Sequence, residues 1–388
     1  MSQHDVHIDK WVYGGEGLAR IDGRVVLVPA VVPGETARID ASDDVHARLL
    51  EVLAPAPERV APPCPLFTIC GGCHYQQAPY EFQLARKVEI LREQLQRVGK
   101  IQFEGQIGVL SGPPLGYRNR AQFRVAKGKI GYLAARSHEL VPVDGECPIS
   151  SPGLNRALAE MRERLHDPRF PRFVQSLEIF TNESDVQINV IEAGHPVARR
   201  FYDWCGSQQA LDYQTTFGVF RVSSRSFFQV NRFLVEKLVE AALPQEGGES
   251  ALDLYAGVGL FALPMARRFR SVTAVESGSS AAHDLAFNTS RAELDVKMEQ
   301  ARVEDHLARL DATPEFVLAD PPRAGLGKDV VRELLRLAPP RVTIVSCDPA
   351  TLARDLAGLS GYHIDSLTLV DLFPQTYHLE TIARLRRA

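Results

Sequence analysis

The sequence predicts an α/β protein whose C-terminal part is a Rossmann-like, doubly wound sheet preceded by two further regions. From about residue 250 onward, short apolar segments alternate with helical stretches, which is typical of parallel strands joined by crossover helices. A glycine-containing turn follows the first of these segments, and a group of cysteines lies in the N-terminal half. The predicted strands are Ala251–Tyr255, Ser271–Glu276, Phe316–Ala319, Val342–Ser346 and Ser366–Asp371.

The N-terminal half divides into a β-rich module and a larger central region. Strand-like segments and four turn glycines fall within residues 12–53, and a Pro/Ala-rich run at 54–65 predicts a linker. Apolar residues at helical spacing predict a helix over 79–98, and two strands are expected near 121–126 and 130–134. We therefore predict domains at 1–56, 57–230 and 231–388.

Composition excludes a membrane-spanning or secreted protein. No apolar run approaches the roughly 18 residues needed to cross a bilayer. Met1 to Lys10 are polar, without the apolar segment of a signal peptide. These features predict a cytoplasmic location, and we expect a monomer. In the cytosol, the six cysteines are expected to be metal ligands, catalytic residues or buried thiols rather than disulfides.

Positive charge is concentrated in one stretch. The net charge of −4 and the pI near 6.3 do not indicate a nucleic-acid-binding protein, so any basic surface must be local. Residues 85–136 nevertheless contain eleven Lys/Arg and three acids. Such a run is either a solvated face or a polyanion-binding surface, and its density favours the latter.

The turn after the first predicted strand suits a nucleotide-type cofactor. Gly257 and Gly259 allow a tight turn and a close approach of the backbone to a ligand, and Glu276 ends the next strand, where an acid can bind ribose hydroxyls. NAD is the obvious rival, but the GxGxxG pattern is incomplete because Ala262 replaces its last glycine. Asp253 shortly before Ala-Gly is more typical of an S-adenosylmethionine site, and a purely structural turn is the remaining alternative.

Reactive side chains follow two further predicted strands. Asp320 begins the segment DPPR and Cys347 lies in SCDP, and the carboxyl ends of strands in an open α/β sheet border the active crevice. Cys347 is therefore expected to be a nucleophile, although an inert buried thiol is the alternative. A thiolate that adds to carbon 6 of a pyrimidine makes carbon 5 nucleophilic enough to accept a methyl group. Glu380 is the candidate base for the carbon 5 proton, and its alternative is a surface carboxylate.

Five ordered motifs in the C-terminal half resemble those of the RNA 5-methyluridine methyltransferases. They are FFQVN at 227–231, DLYAGVGLF at 253–261, DPPR at 320–323, SCDPATLARD at 346–355 and DLFPQTYHLE at 371–380. The resemblance implies a class I methyltransferase domain that binds S-adenosylmethionine. One departure is Asp348, where many relatives have Asn, so that an extra charge stands beside the cysteine.

The resemblance also implies roles for single residues. Gln229 is expected where cofactor and target base meet, Tyr255 and Glu276 at the cofactor, and Asp320 at the polar edge of the uracil and at the cofactor. Together with the reasoning above, the predicted cofactor-binding residues are Gln229, Tyr255, Gly257, Glu276 and Asp320. Cys347 is expected to be the nucleophile and Glu380 the base.

The N-terminal half resembles the ribosomal-RNA branch of the same family. Cys64, Cys70, Cys73 and the distant Cys147 are similar to the four ligands of a 4Fe-4S cluster. Four thiolates suit such a cluster or zinc, and four unrelated thiols are a third possibility. The remaining Cys205, beside Trp204, is expected in the core.

Residues 12–53 resemble a TRAM domain, an OB-like RNA-binding barrel. Tyr117-Arg118-Asn119-Arg120 matches the central domain of the family, where Arg118 and Arg120 are expected to bind RNA. Phe123 and Tyr132 suit base stacking or the core, and we favour the core.

Three functions remain in competition at this point. The favoured one is methylation of a uridine in RNA, with the target base flipped out of its stack, and large-subunit ribosomal RNA is preferred to transfer RNA. A non-catalytic iron–sulfur RNA-binding protein is the second. A DNA cytosine-5-methyltransferase is the third, disfavoured because Pro349 follows Cys347 instead of preceding it.

Overall fold

The computed structural model describes residues 3–41 and 45–388. Five residues of the predicted N-terminal domain, 1–2 and 42–44, lie outside this part. As far as residue 164 the elements are β1 (Gln3–His7), β2 (Lys10–Val12), β3 (Glu16–Ile21), β4 (Arg24–Pro29), β5 (Thr36–Asp40), β6 (Arg48–Ala54), α1 (Tyr80–Gly99), β7 (Ile107–Leu110), β8 (Arg120–Ala126), β9 (Lys129–Leu133), β10 (Leu140–Pro142) and α2 (Pro152–Arg164).

The later elements alternate more regularly. They are β11 (Val174–Thr181), β12 (Val186–Ala193), α3 (Arg199–Trp204), β13 (Ala210–Thr215), β14 (Gly218–Ser223), α4 (Val235–Ala242), β15 (Gly248–Leu254), α5 (Ala262–Met265), β16 (Phe269–Val275), α6 (Ser279–Arg291), β17 (Val296–Glu299), α7 (Val303–Ala308), β18 (Phe316–Ala319), α8 (Gly327–Leu337), β19 (Arg341–Ser346), α9 (Pro349–Gly358), β20 (Tyr362–Val370) and β21 (Glu380–Arg387).

The N-terminal module is β-rich, as predicted. Its six strands form two antiparallel sheets in the orders β1-β5-β6 and β2-β3-β4. Alternating apolar side chains such as Val26, Val28, Ala37 and Ile39 point into a core that the two sheets share. The predicted linker after this module is held in place, because Arg59 forms an ion pair with the fully buried Glu35.

The central region is a five-stranded antiparallel sheet in the order β10-β9-β8-β11-β12, with α2 packed against it. The two predicted strands near 121–126 and 130–134 are confirmed as β8 and β9. Phe123 is fully buried and Tyr132 packs against the same core, as favoured above. Cys205 is also buried there, as predicted.

The C-terminal body is an eight-stranded sheet in the order β17-β16-β15-β18-β19-β21-β20-β7. Its first five strands are parallel, whereas β21 runs antiparallel to both β19 and β20. The expectation of a parallel sheet is therefore wrong at β21, which runs antiparallel to both of its neighbours. The cause is the short loop 371–379 between β20 and β21, because parallel neighbours need a crossover of a dozen or more residues.

Two elements from upstream complete this body. Strand β7 pairs in parallel with β20 and covers the sheet edge, and helix α1 packs against α9. The predicted helix 79–98 is confirmed as α1, which ends where Lys100 adopts a left-handed conformation and its N–H bonds to the Leu95 carbonyl. The predicted domain boundaries at 56 and 230 stay predictions. Residues 80–110, however, supply β7, which joins the sheet built by residues 248–387, and α1, which packs beside it.

None of the helices within the described residues combines the length and the apolar character that crossing a membrane requires.

If α1 is integral to the C-terminal body, truncation of its buried face must destabilise the whole chain. Leu91 is fully buried in the core that α1 shares with α9. We expect Leu91→Ala to lower the free energy of unfolding by about 2–5 kcal/mol, measured by urea denaturation and circular dichroism. The matched control is Val98→Ala, whose side chain is 45% exposed. An equal effect of both substitutions would contradict this packing.

Candidate active site

Seven of the predicted site residues line one cavity of about 740 Å³ at the carboxyl ends of the parallel strands. This position follows from the fold, because residues after β15, β16, β18 and β19 all emerge at the same edge of the sheet. The residues are Gln229, Tyr255, Gly257, Glu276, Asp320, Cys347 and Glu380. The structure thus brings the predicted cofactor-binding and catalytic residues together, while their individual roles stay predictions.

The turn after β15 leaves room for a ligand. Tyr255, Gly257 and Gly259 all have positive φ angles, of 63°, 56° and 95°. A Cβ atom at Gly259 would lie 2.6 Å from the Leu285 side chain, so this position requires glycine. A Cβ atom at Gly257 would meet nothing within 4 Å, which leaves open space where the cofactor is predicted.

Glu276 is fixed beside this turn by backbone amides. Its Oε2 accepts a hydrogen bond from Gly257 N at 2.9 Å and its Oε1 one from Gly278 N at 2.6 Å. The carboxylate therefore joins the turn after β15 to the turn after β16, and its place in the cavity wall does not depend on a bound ligand.

Cys347 lies at a tight strand-to-helix turn. It follows β19 directly, and the next residue, Asp348, caps α9 by accepting hydrogen bonds from Ala350 N and Thr351 N through Oδ1. The other oxygen, Oδ2, accepts the hydroxyl of Tyr13 from the N-terminal module at 3.0 Å. Both oxygens of Asp348 thus serve as acceptors, whereas an asparagine would offer only one.

The thiol shares its cavity with two carboxyl groups, and the three groups disfavour each other's ionisation. Burial, Glu380 and Asp320 raise the pKa of Cys347 from 9.0 to about 11, and the nearby Arg323 partly opposes this. Burial and Asp320 raise the pKa of Glu380 well above its usual range. Burial raises the pKa of Asp320 from 3.8 to about 7.

Sequence reasoning assigned no role to three residues at the cavity mouth. Arg323, Phe373 and His378 line both the active cavity and a neighbouring groove. Arg323 Nη2 lies 3.3 Å from His378 Nδ1, and burial together with this cation lowers the pKa of the imidazole to about 3. Their place within the motifs DPPR and DLFPQTYHLE was the signal that could have pointed to them.

The groove has five arginines and four phenylalanine or tyrosine rings among its described lining residues. It measures about 970 Å³ and runs from the N-terminal module across the central sheet to the cavity mouth. Its arginines are Arg48, Arg118, Arg124, Arg136 and Arg323, and within residues 3–41 and 45–388 Glu16 is the one acid that lines it. Glu16 pairs with Arg136. The basic stretch predicted at 85–136 therefore supplies three of the five arginines, while Lys87 in the same stretch is fully buried.

Arg118 and Arg120 occupy different environments. Arg118 lies between the groove and the cysteine site. Arg120 is buried, bonded to Glu178 at 2.7 Å and to the Ser226 carbonyl at 2.8 Å, and its guanidinium lies over the Phe227 ring. Neither residue lines the active cavity, and their predicted RNA contacts stay predictions.

The four predicted ligand cysteines line a second cavity of about 200 Å³. Cys64, Cys70 and Cys73 come from the loop before α1, and Cys147 comes from the segment before α2. A donor set of four thiols around one space fits a thiolate-bound metal centre. In the described residues, however, no three His, Cys, Asp or Glu side chains form a group that could hold a metal ion.

Comparisons with known proteins agree with this geometry. Residues 174–388 match the family described as tRNA (Uracil-5-)-methyltransferase. An RNA methyltransferase of Thermosynechococcus vestitus, otherwise uncharacterized, is 32% identical over 98% of this chain and 97% of its own. The 23S rRNA (uracil(1939)-C(5))-methyltransferase RlmD of Halomonas elongata is 34% identical over 99% of this chain and 89% of its own.

A solved structure supports the fold over nearly the whole chain. The Pyrococcus abyssi tRNA (uracil-54, C5)-methyltransferase, solved in complex with S-adenosyl-L-homocysteine, superimposes with a TM-score of 0.76. The alignment covers 98% of this chain and 100% of that chain at 23% identity.

The raised pKa of Cys347 predicts a pH-dependent reactivity. Because only the thiolate is alkylated, we expect iodoacetamide labelling of Cys347, followed by peptide mass spectrometry, to accelerate with pH towards about 11. Arg323→Gln removes the cation that favours the thiolate and should slow labelling at pH 9. An exposed arginine away from the cavity, Arg270, provides the matched Arg270→Gln control. A labelling midpoint at or below that of a free cysteine, about 8.5, would contradict the prediction.

Proposed function

Because the chain belongs to the tRNA (uracil-5-)-methyltransferase family, and is thus an S-adenosylmethionine-dependent RNA uracil-C5 methyltransferase, we propose that it methylates a uridine of large-subunit ribosomal RNA. We further propose that Cys347 is the covalent nucleophile, that Glu380 is the base, and that the enzyme acts as a monomer. The observation that carries the mechanism is the cavity in which Cys347, Asp320 and Glu380 meet the glycine turn.

In the first half of the proposed reaction, the Cys347 thiolate adds to carbon 6 of a uracil flipped into the cavity. This addition moves electron density to carbon 5, which takes the methyl group. When bound, S-adenosylmethionine would supply that electrophilic methyl group and leave as S-adenosylhomocysteine, and its positive sulfonium would favour the ionised forms of the thiol and carboxyls. Gln229, Tyr255, Gly257, Glu276 and Asp320 would hold the cofactor, and Gln229 and Asp320 would also contact the base.

In the second half, the Glu380 carboxylate removes the carbon 5 proton. The electrons of that C–H bond restore the double bond between carbons 5 and 6, and the Cys347 sulfur leaves as a thiolate. Because burial raises the pKa of Glu380, its carboxylate binds a proton strongly once ionised. It is therefore suited to removing a proton from a weakly acidic carbon.

Ribosomal RNA is favoured over transfer RNA by the relatives. RlmD proteins of Halomonas elongata and Pectobacterium atrosepticum, named as 23S rRNA uracil-1939 methyltransferases, are 34% and 31% identical over nearly the whole chain. The groove offers the path: Arg118, Arg124 and Arg136 could contact phosphates, and the mouth at Arg323 would admit the flipped base. On this view the N-terminal module is a TRAM domain that borders the RNA, with domains at 1–56, 57–230 and 231–388.

The cysteine site is proposed to hold a 4Fe-4S cluster through Cys64, Cys70, Cys73 and Cys147. The support is the donor set: four thiols line one cavity, three of them on the loop before α1 and the fourth on the segment before α2. Zinc is the alternative. Methyl transfer involves no net electron, so the role of the centre would be structural.

The mechanism predicts a covalent adduct that depends on Cys347. With RNA carrying 5-fluorouridine at the target, carbon 5 has no proton to lose, so we expect a denaturation-resistant protein–RNA complex. Cys347→Ala should abolish this complex and lower methylation of ordinary RNA by about 10³-fold or more. Glu380→Gln should instead accumulate a methylated adduct on ordinary uridine. Electrophoresis and labelled S-adenosylmethionine measure both.

Cys205→Ala and Glu240→Gln are the matched controls, because Cys205 lies in the central core and Glu240 is exposed on α4. Both should behave as wild type. Methylation of transfer RNA but not ribosomal RNA would overturn the substrate and keep the mechanism. Wild-type methylation without any adduct on 5-fluorouridine RNA would sink the thiol mechanism.

The proposed cluster predicts a defined metal content. Protein purified without oxygen should contain about four iron and four sulfide per chain, with the charge-transfer absorption of a thiolate-bound cluster. Cys70→Ser should reduce the iron content, whereas Cys205→Ser should not. About one zinc per chain, with no sulfide, would establish the alternative instead.

A further inference from the structure

Helix α1 carries an unusual polar face. Tyr80, Gln83 and Lys87 are spaced at i, i+3 and i+7, so they lie on one side of the helix. Gln83 and Lys87 are both fully buried, although lysine and glutamine normally stay at the surface. A buried polar face is stable only when each group finds a partner, so the partners show what the face holds.

All three side chains bind the loop 371–379, which ends directly before Glu380. Lys87 Nζ donates to Asp371 Oδ1 at 2.7 Å and to the Phe373 carbonyl at 3.1 Å. The Tyr80 hydroxyl donates to Asp371 Oδ2 at 2.9 Å. Gln83 exchanges two hydrogen bonds with Gln375, one with its side-chain oxygen and one with its backbone N–H.

Other segments complete the attachment of this loop. Asn231 donates to the Leu372 carbonyl at 3.1 Å, and Tyr117 donates to the Pro374 carbonyl at 3.0 Å. Two backbone amides of the cysteine loop, His74 N and Tyr75 N, both bind the Gln375 carbonyl, at 2.8 and 3.1 Å. Four consecutive carbonyl groups, 372–375, are thus each bonded to a donor outside the loop.

The loop also contains a strained residue that these bonds hold. Gln375 has a φ angle of 67°, a conformation that costs a residue other than glycine free energy and persists only where its surroundings impose it. The contacts from Gln83, His74 and Tyr75 surround this residue. The conformation of 371–379 is therefore imposed by the N-terminal half of the chain.

Building on the proposed function, we propose that Lys87 is a positioning residue for proton abstraction, which acts through Asp371 and the 371–379 loop to hold Glu380 at carbon 5 of the adduct. A general base must reach its proton at hydrogen-bond distance, and a displacement of about 1 Å can cost 10²-fold in rate. Cys347 is held by β19 and by the Asp348 cap of α9, and the hydrogen bonds of Lys87 go to Asp371 and Phe373 rather than to either of these elements. Loss of Lys87 therefore impairs the second half of the reaction and spares the first.

An apolar residue could not replace Lys87 in this role. Without the ammonium group, the fully buried carboxylate of Asp371 would retain only the Tyr80 hydroxyl and the backbone around it, and the Phe373 carbonyl would lose a donor. Burial lowers the pKa of Lys87, but Asp371 opposes this shift by favouring the charged form.

The two halves of the reaction can be measured separately. On 5-fluorouridine RNA, adduct formation reports thiol addition and methyl transfer; on RNA with tritium at carbon 5 of the target, tritium release reports proton abstraction. For Lys87→Met we expect tritium release to fall about 10–100-fold while adduct formation and RNA affinity change little. A methylated adduct should then accumulate on ordinary uridine. Tyr80→Phe should shift the same ratio in the same direction by a smaller factor.

Lys100→Met is the matched control, because Lys100 is exposed at the end of α1 and its side chain bonds only to the Arg97 carbonyl among the described contacts. It should leave both rates unchanged. If Lys87→Met is too unstable to study, Lys87→Met/Asp371→Leu removes both buried charges, which can restore stability. This double variant should unfold near the wild-type temperature and still release tritium slowly.

Parallel loss of adduct formation and tritium release in Lys87→Met and Tyr80→Phe would overturn the proposal. Wild-type rates in both variants, or full recovery of tritium release in the double variant, would overturn it as well. Failure of the proposed function is distinguishable, since the wild-type enzyme would then form no adduct at all.

Discussion

The ion pair between Lys87 and Asp371 joins the two halves of the chain inside the protein. Removing such charges from water costs on the order of several kcal/mol per ion, and only close pairing with additional hydrogen bonds offsets this cost. The Asp371 carboxylate forms an ion pair with Lys87 and accepts a hydrogen bond from the Tyr80 hydroxyl. Its backbone N–H donates to the Leu110 carbonyl of β7. Helix α1 meets the Asp371 carboxylate and the edge strand β7 meets its backbone N–H, so both elements are fixed to the start of the 371–379 loop.

A second constraint acts inside the active cavity, where neighbouring acidic groups disfavour each other's ionisation. The pKa values of Cys347, Asp320 and Glu380 are all raised. Arg323 is the cation that opposes the rise at the Cys347 thiol. These carboxyl groups therefore favour the protonated thiol of Cys347. The sulfonium charge of the proposed cofactor would oppose this effect and favour the thiolate.

The strand-end rule explains how much of the site was predictable. Asp320 and Cys347 directly follow apolar segments, so one cavity could be inferred from local sequence. The direction of β21 could not be inferred in this way, because the alternation of apolar segments does not reveal whether strands run parallel. Gln83 and Lys87 look like surface residues of an amphipathic helix, and their partners lie 292 and 284 residues further along the chain. Such burial depends on tertiary packing that local patterns do not encode.

The pairing of β7 with β20 has a consequence for biosynthesis. Strand β7 and helix α1 leave the ribosome early, yet their partners lie at the opposite end of the sequence, with Lys87 and Asp371 separated by 284 residues. At translation rates of about 5–20 residues per second, these segments wait roughly 15–60 s before the C-terminus emerges. During that interval α1 exposes an apolar face and a lone lysine on the nascent chain. A region made among the first is therefore among the last to complete its packing.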